Sequence, residues 1–327
     1  MVNYYNIYGW VKAVTDNWEK FQKHFSYFQT ETLDNPNLMI KIEEIELNPD
    51  KYNMVGRFLL GERELVERRK FGTLKINNLL SETEIHFTKG YDRFMPVLNL
   101  VRDIMWFKLI NLGKTLVHSA SIELNGEGCL INGWMGMGKT MSTIKLVMGG
   151  FNFLGDDLVI LDGEGNVHAF PLPLKLSLPH SKILHMSNFI KAKLLMGELV
   201  NKIPYLRRRI EIAHHEEITN LIENSSISEN AEIKRVYILQ KASMNELVPI
   251  NYRQAAKILA LQNKWERIFW TDRIFIPYSF TDQDFNPTVL EEKEMKIIEQ
   301  SIRKAECYKV LFTRYASDEL EKIFFKE

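Results

Sequence analysis

Residues 133 to 140 read Gly-Trp-Met-Gly-Met-Gly-Lys-Thr, and no other stretch constrains the fold of this chain so tightly. A glycine, four free positions, then Gly-Lys-Thr is the pattern of a loop that wraps an anion. Gly133 and Gly138 are expected to take backbone angles that a Cβ would forbid. The loop can then turn its N–H groups inward, with Met135, Gly136, Met137 and Met141 contributing to the cradle. Lys139 supplies a point charge for the β- and γ-phosphates of a nucleotide, and Thr140 a hydroxyl for Mg²⁺. A helix starting here would point its positive end at the same anion.

The flanks agree with this reading. Residues 129 to 132, Cys-Leu-Ile-Asn, read as a short buried strand, and residues 140 to 148 as a helix stopped by Gly149-Gly150. Strand, loop and helix in that order are what the motif needs. Residues 116 to 124 read as another strand, and Asn125-Gly126 as a hairpin turn that folds it against the loop strand. An antiparallel neighbour is unusual here, because most such loops sit in parallel sheets with helical crossovers.

Two further features bear on chemistry. Gly155-Asp156-Asp157 places adjacent carboxylates at a strand end, where one can hold a metal and the other accept a proton. Thr140 and Asp157 are candidate metal contacts. Residue by residue, which Asp is base and which is ligand stays open. His118, in Val-His-Ser-Ala-Ser, lies on the strand that the turn brings beside the loop strand. It is either a core histidine satisfied by backbone or a contact to phosphate, metal or the acidic pair.

The remaining chain yields less. Residues 1 to about 90 read as β-rich, with strands near 39–42, 71–77 and 84–87 and a short helix within 18–28. Residues 94 to 112 read as an apolar helix ended by Gly113. Residues 180 to 225 look helical and polar, 236–239 and 308–312 read as strands, and 251–262 and 318–325 as helices. Arg207-Arg208-Arg209 reads first as a solvated face and second as a grip for an acidic substrate. His214-His215-Glu216-Glu217 matches no zinc spacing.

With 42 basic and 42 acidic side chains the chain is neutral, which argues against a dedicated nucleic-acid binder. Its two cysteines give no disulfide framework and fit a reducing cytoplasm. The N-terminus lacks the regions of a signal peptide, and no apolar run is long enough for a bilayer.

Taken together, Val117-His118-Ser119-Ala120-Ser121, Gly128-Cys129-Leu130-Ile131-Asn132-Gly133, the loop, Gly155-Asp156-Asp157 and the Pro171-to-Leu176 run resemble the catalytic core of HPr kinase/phosphorylase. The same set is similar to the ATP-type phosphoenolpyruvate carboxykinases, and it covers about residues 115–176. Trp134 and Met137 stand where the kinase loop carries small or polar residues. The resemblance implies an α/β fold with a mixed sheet around the P-loop, HPr-kinase/carboxykinase-like, over residues 93–327. A β-rich domain over residues 1–92 precedes it. It also implies an ATP- and Mg²⁺-dependent kinase with Asp156, Asp157, His118 and Lys139 at the catalytic centre. The expected acceptor is a hydroxyl: a serine of a peptide or protein, or a small hydroxylated metabolite. Neither nucleic acid nor membrane is expected as partner, and self-association into a homo-oligomer stays open. The alternative is a nucleotide-binding sensor with little turnover.

Overall fold

The computed structural model describes residues 2–201 and 213–325, which divide into two compact units. The first comprises Met1–Leu116 and Ala260–Ile298, the second Val117–Leu259 and Glu299–Glu327. The chain leaves the second unit within the helix Tyr252–Trp270 and re-enters it within the helix Pro287–Ser301. The first unit therefore runs past the 92/93 boundary expected from sequence. It takes in the helix Val97–Asn111 and a returning helical segment.

The first unit carries nine strands in one sheet among the described residues. Antiparallel hairpins predominate, with two parallel pairings: Val11–Thr15 beside Leu38–Ile42, and Leu38–Ile42 beside Thr83–Phe87. Alternation builds it. Leu38 and Ile40, and Ile85 and Phe87, are essentially inaccessible, while Met39, Lys41, Glu84 and His86 between them are not. The helix Val97–Asn111 is buried on most of its faces, as its sequence implies. It begins three residues later than expected because Pro96 disfavours helical backbone just before it, and a separate helix, Lys89–Phe94, precedes it.

The second unit is built on a mixed sheet. Ala120–Leu124 pairs antiparallel with Glu127–Asn132 on one side and with Asn152–Gly155 on the other. Asn125 and Gly126 both have positive φ, 54° and 83°, the pair of conformations a tight two-residue hairpin turn requires. Beyond Glu127–Asn132 the sheet turns parallel, first to Asn230–Lys241 and then to Glu306–Phe312. Glu246–Ile250 closes that edge antiparallel. The helices Lys139–Met148 and Ala316–Phe325 pack on this sheet through Ile144, Leu146, Val147, Ala316 and Leu320, which join Ile122, Ile131, Phe153, Tyr237 and Phe312 in one core. Among the described residues no helix is long and apolar enough to cross a membrane.

Candidate functional site

Glu127–Asn132 runs out of the sheet at its carboxyl end, and the next six residues form the loop before the helix Lys139–Met148. Open α/β sheets place ligands at this end of their parallel strands. Gly138 lies in the left-handed region, φ 96°, at the helix N-cap, and Gly136 does the same at φ 82°. Gly133 is a glycine for a different reason than expected. It is not among the positive-φ residues, but a Cβ there would lie 3.0 Å from Leu239 Cβ and 3.3 Å from Met137 Cβ. Its bareness lets the loop press onto the neighbouring strand.

The loop turns between Trp134 and Met137, whose N–H donates to the Trp134 carbonyl at 3.1 Å. Met137 is partly buried against the core, which accounts for an apolar residue in this loop. Met135 stands almost wholly in solvent, and Trp134 is half exposed. Lys139 is buried, and its ammonium bonds the Gly133 carbonyl across the mouth of the loop. The helix starts at Lys139 with no side-chain cap hydrogen bond at Gly138, so its positive end lies at the loop.

Thr140 Oγ1 donates to Asp156 Oδ2 at 2.7 Å. Asp156 follows the strand Asn152–Gly155 at a turn that only Gly155 permits, since a Cβ there would sit 2.4 Å from the Leu158 carbonyl oxygen. Burial pushes the Asp156 carboxyl from 3.8 up to about 6. The Thr140 bond opposes that rise, the neighbouring Asp157 adds to it, and Lys139 and Thr143 oppose it. Asp156 Oδ1 is buried without a hydrogen-bond partner. An enclosed acceptor of this kind, next to a hydroxyl, fits a cation-facing group.

Asp157 differs sharply from its neighbour. Its side chain is half exposed, and its Oδ1 lies 3.5 Å from His118 Nδ1. The strand expected over residues 116–124 is in fact two, Lys114–Val117 and Ala120–Leu124, with His118 and Ser119 in a break between them. That break carries His118 out of the strand pattern, where an unbroken strand would have alternated its side chains across the sheet. Ser119 Oγ donates to the Ile131 carbonyl, and Asn132 Nδ2 to the His118 carbonyl at 2.8 Å. Asn132 was not singled out from sequence. The signal available was a polar residue ending an otherwise apolar strand.

The six residues Gly133, Lys139, Thr140, Asp156, His118 and Asp157 are thus linked by direct contacts in two sets: Gly133–Lys139 and Thr140–Asp156 around the loop, and His118–Asp157 beside it. The direct partner of Thr140 is Asp156, not Asp157. Among the described residues no group of three or more His, Cys, Asp or Glu could hold a metal unaided. A divalent ion at Asp156 would need oxygens from phosphate and water, the usual situation for Mg²⁺.

The other sequence candidates lie elsewhere or beyond view. His214–Glu216 is a strand paired with Leu174–Leu176, and His214 Nε2 stands 3.6 Å from Glu216 Oε2. These two share a face because the segment is a strand and not the helix expected across 180–225. Arg207, Arg208 and Arg209 lie outside the described residues.

No family model matches this sequence, and no curated protein does either. Among solved structures it is similar to the Hpr(Ser) kinase/phosphatase from Coxiella burnetii, with a TM-score of 0.31 and 12% identity. That alignment covers 65% of this chain and 89% of the other. The likeness is distant, and no sequence-level match accompanies it.

Proposed function

We propose that the second unit binds Mg·ATP at the Gly133–Thr140 loop and transfers the γ-phosphoryl group to a hydroxyl acceptor. The acceptor would be a serine of a peptide or protein, or a small hydroxylated metabolite. The observation that carries this reading is the bond from Thr140 to the enclosed Asp156, which joins the loop helix to the acidic pair.

Each residue then has a task suited to its surroundings. Lys139, already held at the loop mouth by the Gly133 carbonyl, faces the phosphates. Thr140 and Asp156 are the groups that would hold Mg²⁺; this revises the expected Thr140–Asp157 pairing, because Asp156 is the direct partner. The ion, when bound, neutralises charge on the phosphate oxygens. Asp157, open to solvent and beside His118, is the base. As the acceptor oxygen forms its bond to the γ-phosphorus, the bond from that phosphorus to the bridging oxygen breaks and ADP leaves. The hydroxyl proton passes to the Asp157 carboxylate, and His118 orients that carboxylate. Catalysis by positioning and charge neutralisation is sufficient for this chemistry.

Calorimetry of the folded protein with Mg·ATP, followed by labelled ATP with serine-containing peptides and hydroxylated metabolites, tests the reading. Binding that disappears in Lys139→Ala, with transfer to one acceptor class, supports it. Binding without turnover on any acceptor would favour the sensor reading, and absence of binding would remove both.

A further inference from the structure

The break at His118 and Ser119 is tied to the end of the loop strand at two points: Ser119 Oγ to the Ile131 carbonyl at 3.0 Å, and Asn132 Nδ2 to the His118 carbonyl at 2.8 Å. Asn132 is completely buried and is the last residue before Gly133. Its Oδ1 is enclosed without a hydrogen-bond partner. A buried amide whose oxygen accepts nothing is destabilising. Leu130 and Ile131, equally buried just before it, show what this strand uses where filling space is enough. Asn132 therefore has a reason other than packing.

That reason is the geometry of the break. His118 and Ser119 lie outside both strands, so ladder pairing does not set their orientation. Holding the His118 carbonyl fixes the adjoining peptide plane, and with it the direction in which the His118 side chain leaves the main chain. We infer that Asn132 is a positioning residue: its side-chain amide holds the His118 main chain so that the imidazole faces Asp157. Because Asn132 adjoins Gly133, the same contact ties the His118–Asp157 pair to the phosphate loop. The inference deepens the phosphotransfer reading and rests on it only for the catalytic consequence; the geometry stands by itself.

The test reads that geometry without any substrate. In protein labelled at histidine Cε1, with the His118 signal assigned through His118→Gln, Asp157→Asn should displace the His118 signal, since a carboxylate beside Nδ1 has been removed. In an Asn132→Ser background the same change should leave the His118 signal unmoved, the ring having already turned away. Equal displacement in both backgrounds overturns the inference. Unchanged signals from the other histidines report that Asn132→Ser is folded. Should it not fold, Asn132→Asp keeps the side-chain volume while replacing the donor with an acceptor, and is read the same way. The wild-type protein gives an independent reading: the Asn132 amide protons should exchange with solvent far more slowly than those of exposed asparagines, and equally fast exchange overturns the inference. Failure of the phosphotransfer reading shows separately, as absence of Mg·ATP binding to wild type. With an acceptor in hand, Asn132→Ser should cost ~10²-fold in kcat, the scale of a small misplacement, with Mg·ATP affinity retained.

Discussion

Asp156→Asn should stabilise the second unit while abolishing phosphoryl transfer, and the gain should depend on pH in a defined way. Burial raises the Asp156 carboxyl from 3.8 to about 6. Below 3.8 both folded and unfolded chains hold the proton, and the group costs nothing. Between 3.8 and about 6 only the folded chain holds it, so wild-type stability falls as pH rises, by roughly 1.4 kcal/mol per pH unit. Above about 6 the cost levels off at about 3 kcal/mol. Asparagine keeps an acceptor for the Thr140 hydroxyl and carries no charge to bury. The difference between variant and wild type should therefore grow by about 3 kcal/mol from pH 3.5 to pH 7.5. Urea unfolding, followed by hydrogen exchange in peptides of the second unit, isolates this from the first unit. A difference that stays flat across the range would refute the reasoning, because it would mean that Asp156 is ionised at no cost in the folded protein. A group kept at an energetic cost beside the Gly133–Thr140 loop would fit the proposed cation site, stability being given up for function.

Lys139→Ala should weaken Mg·ATP binding strongly and eliminate transfer; equal affinity by calorimetry in wild type and variant would remove Lys139 from the phosphate site. Asp157→Asn should leave Mg·ATP affinity near wild type while transfer falls by ~10²–10⁴-fold, the usual contribution of a general base, measured in single-turnover assays with labelled ATP. Gly155→Ala should destabilise the second unit and disturb the acidic pair, because the new Cβ would press within 2.4 Å of the Leu158 carbonyl oxygen; an unchanged urea midpoint would show that the turn can relax.

The parts of the site legible in the sequence were those with local causes. Asn125-Gly126 dictates a two-residue turn by its own conformational preference, and the turn sets the register that brings Ala120 opposite Ile131. The loop and its helix follow from the motif. What escaped the sequence depends on neighbours distant along the chain. Gly133 is bare because of Leu239, about a hundred residues on. The break at His118 is set by contacts from Ile131 and Asn132, so alternation alone suggested one continuous strand. Glu246–Ile250 contains Pro249, a strand-breaker tolerated because this strand lies at an edge. The assignment of residues 260–298 to the first unit also reflects contacts, and no change of composition marks it.

The different surroundings of Asp156 and Asp157 show why adjacency in sequence is a poor guide to environment. The two side chains leave consecutive Cα atoms, yet one is enclosed and the other half open to solvent. The enclosed one meets the first turn of the loop helix through Thr140, where a fixed, partly desolvated carboxylate can complement a cation and would be inaccessible to an acceptor. The open one meets His118, where a hydroxyl from a second substrate can arrive. Two carboxyls held in different surroundings can take separate acid–base and electrostatic tasks. Here the separation is built from the turn after Gly155, which sends Asp156 inward and leaves Asp157 at the surface. On this argument the carboxylate that remains next door should rescue neither single Asn variant in a labelled-ATP transfer assay, because the backbone at 155–157, not the side chain, decides which partner each position meets; a variant that kept near wild-type transfer would overturn it.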